Sequence, residues 1–344
     1  MKKLSILIPT YNRQERLKKT FPEIISNKSD DIEFVVVDND SIDNTEKYIK
    51  QFIKLDERIK YFKNYTNIGP NRTIYRALLE SSSEWVVIIP DDDYIPPSFI
   101  DELLEQINLN EEYGIIITAK DGQPSLCKDS KVLKGYDALR AAYLHSSSIT
   151  GIAWNKKYIN EKGWLLDGNI YPQVRVSLDI ALITDVLYFV PKNQPKILTW
   201  KKDKLFSLGR PKDFGFFELI NILDEFYYKI NIEDKLSFYY KASASKFTWV
   251  INLYNELYIE DKSKSKAFLK NLVTHKSIGS SAIFWLILFK YINTINLKLF
   301  FMLGYIFFRR IFFSLLNNNL YISSFYLINN MNYFLKKSLK SNES

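Results

Sequence analysis

The N-terminal part of the sequence predicts an α/β fold. Short runs of apolar and β-branched residues, such as 4–9, 32–38 and 85–90, recur along residues 1–118. Segments whose apolar residues follow the 3.6-residue period of a helix separate these runs. Continuous apolar strands that alternate with helices are typical of a mainly parallel sheet that is covered by helices on both faces.

Local signals set the limits of the predicted elements. Pro9 ends the first apolar run. Asp43 and Glu46 have the spacing of a capping box, which predicts the start of a helix ahead of residues 48–53. Pro96-Pro97-Ser98 is typical of the first turn of a further helix. The predicted elements are, in order, strand 4–9, a helix from about 13 to 26, strand 32–38, the helix that ends near 53, strand 59–62, helix 72–82, strand 85–90, the helix that begins at 96–98, and strand 113–118.

Three consecutive carboxylates, Asp91-Asp92-Asp93, directly follow the apolar strand 85–90. Adjacent carboxylates repel one another, so they need a compensating cation or solvent. In open α/β sheets, ligands bind at the carboxyl ends of the strands. A hard divalent cation together with substrate phosphate oxygens supplies the missing positive charge. The alternative interpretation is a solvated acidic turn that caps the next helix.

Polar segments follow four predicted strands, and we expect them to meet in one crevice at the carboxyl edge of the sheet. Such a crevice has room for a base, a ribose, a diphosphate and a metal ion. The sequence contains neither a G-x-G-x-x-G fingerprint nor a P-loop. Taken singly, each segment has the ordinary composition of a turn. The segments are Thr10-Tyr11-Asn12-Arg13, Asp38-Asn39-Asp40-Ser41, Asn67-Ile68-Gly69-Pro70 and Asp91-Asp92-Asp93.

These segments, in this order and spacing, resemble the successive motifs of family 2 glycosyltransferases. The resemblance covers about the first 120 residues and implies a GT-A (nucleotide-diphospho-sugar transferase) fold. Residues 67–72 further resemble the abequosyltransferase-like branch, which builds bacterial surface polysaccharides. A weaker similarity at 150–157 marks the acceptor side of the site in such enzymes. The motifs that carry the resemblance are residues 8–13, 37–45, 67–69 and 92–97.

The resemblance implies a pocket for the donor nucleotide. In it, Tyr11 would stack on the base, Asp38 would accept a hydrogen bond from a pyrimidine ring N–H, and Arg72 would hold the base, the ribose or the diphosphate through its planar guanidinium. The residues that would line this pocket are Pro9, Thr10, Tyr11, Arg13, Asp38, Asn39, Asn67, Gly69, Arg72, Asp91 and Asp92.

The resemblance also implies that Mn²⁺ or Mg²⁺ binds at the acidic segment. Asp93 would be the principal metal ligand, and Asp91 is the second candidate. The common family pattern is Asp-x-Asp-Asp, and this sequence has Pro90 in place of the first aspartate. Which of the three aspartates holds the metal is therefore left open.

The implied reaction is the transfer of a sugar from a nucleotide-diphosphate donor to a hydroxyl of a growing, lipid-linked glycan, with inversion at the anomeric carbon. The acceptor hydroxyl then needs a general base. Aligning the family's base segment with residues 169–174 gives Gln173, which cannot act as a base. Asp167 and Asp179 are the nearest carboxylates and are the candidate bases, with Asp167 slightly preferred. We interpret His145 as a surface residue.

A catalytically degenerate relative that binds a nucleotide-sugar without transferring it is the alternative function. Pro90 and Gln173, which replace expected carboxylates, are the observations that favour it. A nucleic-acid binder is excluded, because the sequence lacks an RNA- or DNA-binding motif and its basic excess lies outside the α/β part.

The chain has a formal net charge of +8, and its basic excess is concentrated at the end. From residue 262 onward there are twelve Lys and Arg residues against a single acidic residue, Glu343. The same region contains aromatic-rich apolar runs that charged residues interrupt before they reach the roughly 20 residues needed to span a bilayer. This composition is typical of helices in a membrane interface, although an ordinary helical bundle is the alternative.

We therefore expect a GT-A domain over residues 1–215, with a nucleotide-sugar half at 1–120 and an acceptor half at 121–215. A mainly α-helical, basic C-terminal region would occupy 216–344 and make peripheral contact with the membrane. The single cysteine, Cys127, excludes an internal disulfide and indicates a reducing compartment. Because no secretory signal is expected before the first strand, the predicted location is the cytoplasmic face of the membrane.

Overall fold

The computed structural model of the protein describes residues 2–109, 112–123, 125–165 and 171–197, and single positions between 218 and 229. The chain divides into two compact units, residues 1–210 and 211–344. All elements below belong to the first unit. The predicted boundary at residue 215 and the predicted interfacial helices fall mostly outside the described residues, so both stay predictions. Over the part of the chain that the structure describes, no helix is both long and apolar enough to cross a membrane.

Strands and helices alternate along the first part of this unit, as the sequence predicts. The strands are β1 Leu4–Thr10, β2 Ile32–Asp38, β3 Ile59–Lys63, β4 Trp85–Ile88, β5 Tyr113–Thr118, β6 Lys131–Leu133, β7 Ala153–Asn155 and β8 Asp185–Phe189. The helices are α1 Gln14–Ile24, α2 Thr45–Ile53, α3 Pro70–Glu80, α4 Pro97–Asn108, α5 Gly135–His145, α6 Lys162–Leu165 and α7 Pro172–Ala181.

The described strands form one sheet in the order β3-β2-β1-β4-β7-β5-β8-β6. The pairs β3-β2, β2-β1, β1-β4 and β5-β8 are parallel. β7 is antiparallel to β4 and β5, and β6 is antiparallel to β8. The predicted α/β fold class is confirmed, and the sheet is mixed, because β6 and β7 reverse direction.

β1 lies between β2 and β4 and fixes the position of both. Leu4 of β1 is opposite Ile32 of β2 on one side and Trp85 of β4 on the other. Every residue of β2 is buried, because helices cover both faces of the sheet. On one face, Phe21 of α1 packs edge-on against Phe52 of α2, with 5.2 Å between the ring centroids. This packing aligns the carboxyl ends of three neighbouring strands.

The start of α2 differs from the predicted capping box. Asn44 precedes the helix and no side chain caps it. The carboxylate of Asp43 instead accepts hydrogen bonds from the backbone N–H of Thr45 at 3.0 Å and of Gln14 at 3.2 Å. Glu46 pairs with two lysines rather than with the helix end. The predicted capping box is therefore wrong, and Asp43 connects the loop after β2 to the start of α1.

A buried carboxylate, Glu33 of β2, connects the amino ends of three strands. It is 1% exposed. It accepts hydrogen bonds from the Ser5 hydroxyl, from Lys60 Nζ at 2.6 Å, and from the backbone N–H of Ser82 at 2.6 Å. Burial works against its charged form, but the hydrogen bonds from Lys60, Ser5 and Ser82 outweigh burial and lower the pKa of Glu33 to about 2.

Glu33→Gln should lower the free energy of unfolding by about 2 to 3 kcal/mol at pH 7. The pKa of Glu33 lies below its ordinary value of 4.5. Its charge therefore stabilises the fold above about pH 4.5, and this contribution is lost as the pH falls through about 2. Urea unfolding at pH 7 and pH 3 should show the difference between variant and wild type shrinking by about half.

Glu80→Gln is the matched control, because Glu80 pairs with Arg76 at the surface at 3.4 Å. Such pairs contribute about 0 to 1 kcal/mol. A destabilisation by Glu33→Gln that stays the same at both pH values would show that its charge does not matter.

Candidate active site

The polar residues that follow β1, β2 and β4 lie at one edge of the sheet, because these strands are parallel neighbours. Thr10 ends β1 and pairs with Asp38, which ends β2. The backbone N–H of Asn39 donates to the carbonyl oxygen of Thr10 at 2.9 Å. Beyond β4, the N–H of Ile89 donates to the carbonyl oxygen of Leu7 at 2.9 Å. The structure thus brings the first, second and fourth predicted segments together.

The loops after β1 and β2 hold each other in place. The backbone N–H of Asn12 donates to the Ser41 hydroxyl at 2.8 Å, and the N–H of Ile42 donates to Asn12 Oδ1 at 2.8 Å. Asn12 and Asp40 have positive φ angles of 53° and 67°. Asn and Asp adopt this left-handed conformation more readily than other L residues. The backbone conformation of these loops therefore favours Asn at position 12 and Asp at position 40, whether or not the side chains contact a ligand.

Asp38 is fully buried, and both of its carboxylate oxygens accept hydrogen bonds. Oδ1 accepts from the backbone N–H of Ser41 at 2.8 Å, and Oδ2 accepts from the Tyr61 hydroxyl at 2.7 Å. Burial, followed by this hydrogen bond to Asp38, raises the pKa of Tyr61. A contact between Asp38 and a base must therefore use the remaining lone pairs of its oxygens or displace Tyr61.

A cluster of amide side chains joins the third predicted segment to this edge. Asn39 is 4% exposed. Its Oδ1 accepts from Asn64 Nδ2 at 2.9 Å and from the N–H of Ile68 at 3.0 Å, and its Nδ2 donates to Asn67 Oδ1 at 2.8 Å. Gly69, with φ of 84°, then leads into α3. The cluster fixes the loop that the sequence assigns to the nucleotide.

The carboxylates of residues 91–93 have separate partners. Among the described residues, no group of three or more His, Cys, Asp or Glu side chains is arranged to hold a metal ion. The mutual repulsion expected of adjacent carboxylates is relieved because different elements supply the partners, and two of these are arginines near the start of α1. The partners are Thr10 and Arg13 for Asp91, Arg16 for Asp92 at 2.5 Å, and Thr150 for Asp93.

Asp91 is hydrogen-bonded to residues of β1 and α1. Its Oδ2 accepts from the Thr10 hydroxyl at 2.6 Å, its carbonyl oxygen accepts from the Thr20 hydroxyl at 2.8 Å, and Arg13 Nε lies 4.0 Å from Oδ1. Burial raises the pKa of Asp91 to about 7. A proton therefore competes with a cation at the Asp91 carboxylate near neutral pH.

Asp93 is 5% exposed and accepts a hydrogen bond from the Thr150 hydroxyl. Mg²⁺ is usually held by one or two carboxylates together with substrate phosphates and water, and Mn²⁺ also prefers oxygen ligands. The residues present fit a cation that Asp93 shares with a donor diphosphate. They do not fit a cage of three carboxylates.

Lys120, which follows β5, is a buried cation of this edge. It is 3% exposed, and its Nζ donates to the carbonyl oxygens of Thr118 and His145, each at 3.3 Å. Burial lowers the pKa of Lys120 to about 8, while the negative charge of Asp93 acts to raise it. His145 is the last residue of α5, and it packs edge-on against Tyr188 at 5.3 Å between ring centroids. Lys120 thus connects the end of β5 to the end of α5.

Gln173, which stands at the position expected for a base, has a structural contact. It is 7% exposed at the start of α7, and its Nε2 donates to the carbonyl oxygen of Ser147 at 3.1 Å. It thereby holds the loop that precedes Thr150. Asp167, the preferred candidate base, lies outside the described residues, so its role stays a prediction.

The structure does not bring Asp179, the other candidate base, to this edge. α7 begins beside Ser147 and runs toward the opposite edge of the sheet, where β5 begins. There, an added Cβ on Gly114 would meet Ile180, the neighbour of Asp179. Asp179 Oδ2 accepts a hydrogen bond from Asn160 Nδ2 at 3.4 Å. Its position two helical turns into α7 separates it from the aspartate segment.

The remaining predicted residues are more exposed than Asp38 and Asn39. Pro9 and Tyr11 are partly buried at the end of β1, whereas Arg72 is exposed in the first turn of α3. Their predicted contacts with the base, ribose and diphosphate stay predictions.

Several residues that shape this edge were missed by the sequence reasoning. Most have partners far away in the chain, and no local pattern marks them. Arg16 is the exception, because it follows Arg13, the residue before α1, by three positions. This spacing places both side chains on the same side of the start of the helix. The missed residues are Arg16, Thr20, Tyr61, Asn64, Lys120 and Thr150.

The family model described as Glycosyl transferase family 2 matches residues 5–157. The chain is similar to GalNAc(5)-diNAcBac-PP-undecaprenol beta-1,3-glucosyltransferase of Campylobacter jejuni, with 28% identity over 291 residues, which cover 79% of this chain and 89% of that protein. Seven further curated glycosyltransferases to which the chain is similar are covered over 15% to 46% of their own length.

The fold is similar to that of two solved structures that contain bound nucleotide-sugars. Staphylococcus aureus TarS 1-349 in complex with UDP-GlcNAc has 16% identity and a TM-score of 0.63, covering 82% of this chain and 83% of that one. The mannosyltransferase PcManGT from Pyrobaculum calidifontis, in complex with GDP-Man and Mn²⁺, has 14% identity and a TM-score of 0.53, covering 89% and 85%. At these identities the similarity concerns the fold.

Asp38→Asn should raise the KM for the nucleotide donor by about tenfold or more, with a smaller effect on kcat, because the lost hydrogen bond to a charged acceptor is remote from the reacting bond. Asparagine keeps the shape of Asp38 and can still accept from Ser41. Tyr61→Phe is the control, since it removes the hydrogen bond from the Tyr61 hydroxyl to Asp38 without changing the carboxylate. Steady-state kinetics on both variants separate the two roles. Equal increases in KM would mean that Asp38 acts by supporting the loop.

Proposed function

We propose that this chain is a family 2 glycosyltransferase with a GT-A fold and that it transfers a sugar from a nucleotide-diphosphate donor to a hydroxyl of a lipid-linked glycan. The observation that carries this proposal is the similarity to the Campylobacter jejuni enzyme over 79% of this chain and 89% of that one. That enzyme is named for transfer to a glycan on PP-undecaprenol. A match of this extent includes the acceptor half as well as the nucleotide half.

The donor is proposed to bind at the carboxyl edge of β1, β2 and β4. TarS binds UDP-GlcNAc and PcManGT binds GDP-Man, which supports a nucleotide-sugar as the donor class. The buried Asp38 and Asn39 build the floor of the pocket through their hydrogen bonds to neighbouring loops. Tyr11 and Arg72 at the rim are proposed to stack on the base and to hold the diphosphate.

Breaking the sugar–phosphate bond leaves negative charge on the nucleoside diphosphate, and positive groups must stabilise that charge. Arg13 and Arg16 lie near the first turn of α1 beside the aspartate segment. The N-terminus of α1 adds partial positive charge at the same edge. We therefore assign these groups to the leaving diphosphate.

A divalent cation at Asp93 would add Lewis-acid stabilisation of the leaving diphosphate. The complex of PcManGT with GDP-Man and Mn²⁺ supports a divalent cation as the metal. In this chain Asp93 would hold the cation, with Thr150 orienting its carboxylate.

Asp167 is proposed as the general base that takes the proton from the acceptor hydroxyl as the hydroxyl attacks the anomeric carbon. Asp179 is less favoured, because it lies two helical turns into α7 and accepts a hydrogen bond from Asn160. A single displacement of this kind inverts the anomeric configuration and needs no covalent intermediate.

The enzyme is further proposed to lie on the cytoplasmic face of the membrane through its basic, aromatic-rich C-terminal region. Twelve Lys and Arg residues against one acidic residue after position 261 supply the electrostatic attraction to anionic lipid. Membrane contact would bring the enzyme close to an acceptor on a lipid carrier, such as the one for which the Campylobacter jejuni relative is named.

Purified full-length protein should release nucleoside diphosphate from a panel of UDP- and GDP-sugars when a lipid-diphosphate-linked glycan is present. Asp93→Asn should lower kcat by at least about 10²-fold, because it removes charge stabilisation at the leaving group. EDTA should abolish the activity and Mn²⁺ should restore it. Asp121→Asn, at a carboxylate with 57% exposure, is the control and should stay active. Full turnover after exhaustive removal of metal contradicts the role of the cation.

Full-length protein should float with vesicles that contain anionic phosphatidylglycerol and much less with neutral phosphatidylcholine vesicles. Replacing Lys262, Lys264 and Lys266 by Gln should weaken flotation, since each basic residue near the surface contributes about 1 kcal/mol. High salt should release only part of the wild-type protein, because apolar insertion is not screened. Equal flotation with both lipids removes the electrostatic part of the proposal.

A further inference from the structure

An open cleft at the carboxyl edge of the sheet, next to the aspartate segment, has no role in the reaction outlined above. Its volume is about 680 Å³, within the range of roughly 300 to 1,000 Å³ that is typical of ligand-binding pockets. The walls come from the segment that leads into α4, from the turn after β5 and from the loop after β8. The residues that line it are Tyr94, 96–98, Asp121 and 192–194.

The cleft and the proposed nucleotide pocket lie on opposite sides of the aspartate segment. The nucleotide is proposed to bind at the ends of β1, β2 and β4, whereas the segments that line the cleft follow β4, β5 and β8. In the sheet, β4 stands between β1 and β2 on one side and β5 and β8 on the other. The loop after β8 also comes close to the surroundings of Asp93. An added Cβ on Gly151, the neighbour of Thr150, would lie 3.4 Å from Pro195.

Hydrogen bonds to both neighbouring segments hold the loop after β8 in place. Tyr94 and Lys196 exchange two backbone hydrogen bonds, at 3.0 and 2.9 Å. The backbone N–H of Lys192 donates to the carboxylate of Glu102, a residue of α4, at 2.8 Å. A cleft with walls that are already fixed does not have to be ordered when a ligand binds.

The lining combines an aromatic ring with amide and hydroxyl groups. Tyr94 is 38% exposed. Asn193 Nδ2 donates to Ser98 Oγ at 3.1 Å, which leaves the amide oxygen of Asn193 and the hydroxyl proton of Ser98 for a ligand. Gln194 supplies a second amide. A sugar ring presents C–H groups on its face, which pack on an aromatic ring, and hydroxyls at its edge, which both donate and accept. The lining is therefore complementary to a sugar.

The residues that line the cleft carry no net charge, which favours an uncharged ligand over a phosphate group. Asp121 and Lys192 are the charged residues of the lining. The carboxylate of Asp121 pairs with Lys196 Nζ at 3.4 Å, so we do not assign it to the ligand. Phosphate groups are bound by an excess of Arg or Lys, and the lining has one lysine against one aspartate.

We propose that this cleft is a subsite for an uncharged inner sugar of the acceptor glycan, with Tyr94 as the surface on which the sugar ring stacks. The inference rests on the proposed function, because it takes a glycan as the acceptor. It adds the recognition of a sugar that does not itself react. With an inner sugar in the cleft, the end of the glycan lies at the aspartate segment, next to the donor. Acceptors with several sugars are therefore better substrates than a lipid-linked monosaccharide.

Transfer by the full-length protein to lipid-diphosphate-linked acceptors of one, two and three sugars tests this subsite. For wild type, kcat/KM for the acceptor should rise by at least about tenfold from the shortest to the longest acceptor. Tyr94→Ala should raise the KM for the longest acceptor by about tenfold, because the stacking contact is lost, and leave the KM for the donor unchanged. Tyr94→Phe keeps the ring and should behave as wild type.

Leu109→Ala is the matched control, because it truncates a 60% exposed side chain just beyond the other end of α4. It should keep the dependence on acceptor length. Gln194→Ala is a second variant in the cleft and should weaken the use of the longest acceptor several-fold. A merely structural role of Tyr94 predicts a higher KM for the donor as well. That result, or a wild type that uses all three acceptors equally well, overturns the inference even when a variant fails to fold.

Saturation-transfer NMR measures binding without any transfer. The probes are free di- and trisaccharides of N-acetylgalactosamine, the sugar that the name of the Campylobacter jejuni relative contains. Wild type and Tyr94→Phe should transfer saturation to the probe, and Tyr94→Ala should not. Displacement of the trisaccharide by inorganic pyrophosphate would show that the cleft takes phosphate groups, which contradicts the inference.

The two proposals fail in different ways. Sugar transfer that depends neither on acceptor length nor on Tyr94 refutes the inference and leaves the proposed function intact. Binding of the probes that depends on Tyr94, in a protein that transfers no sugar, supports the inference and refutes the function. A protein that neither transfers sugar nor binds the probes refutes both.

Discussion

Three adjacent carboxylates at the end of a buried strand need three separate partners, and this constraint governs the arrangement of the site. A carboxylate buried without compensation would lose its charge. The loop at residues 91–93 therefore spreads its side chains toward different elements. Arg13 and Arg16 connect the start of α1 to the first two aspartates, and Thr150 connects the loop before β7 to Asp93. One local sequence feature thus joins three separate parts of the first unit.

Most polar groups at the carboxyl edge bind to the protein itself, which preorganises the pocket. Asp38 and Asn39 are buried, and their side-chain atoms hold the loops after β2 and β3. Because such side chains are already fixed, a nucleotide that binds there does not have to order them. We propose that specificity for the nucleotide depends on Tyr11 and Arg72, which keep more exposed surface.

Features that depend on local pattern could be predicted from the sequence, and features that depend on distant pairing could not. Apolar runs and turn residues predicted β1 to β5, their parallel direction and the edge where the polar segments meet, but not β8. The two antiparallel strands were not predicted, because β6 and β7 are three residues long and carry no period-2 pattern. Asp43 and Glu46 fit a capping box by spacing, but Gln14 and two lysines compete for their carboxylates. Lys120 begins a polar stretch of the sequence, so its burial is visible only in the fold.

Gln173 stands where a catalytic carboxylate is expected, and its amide makes a structural hydrogen bond there. Its amide holds the carbonyl of Ser147, a contact that a carboxylate could not make, since a carboxylate cannot donate at neutral pH. The segment after α5 is thereby held by Lys120 at His145, by Gln173 at Ser147 and by the hydrogen bond from Thr150 to Asp93. An amide cannot take the proton of an acceptor hydroxyl, so the proposed transfer needs a carboxylate elsewhere, and Asp167 is the one that we propose.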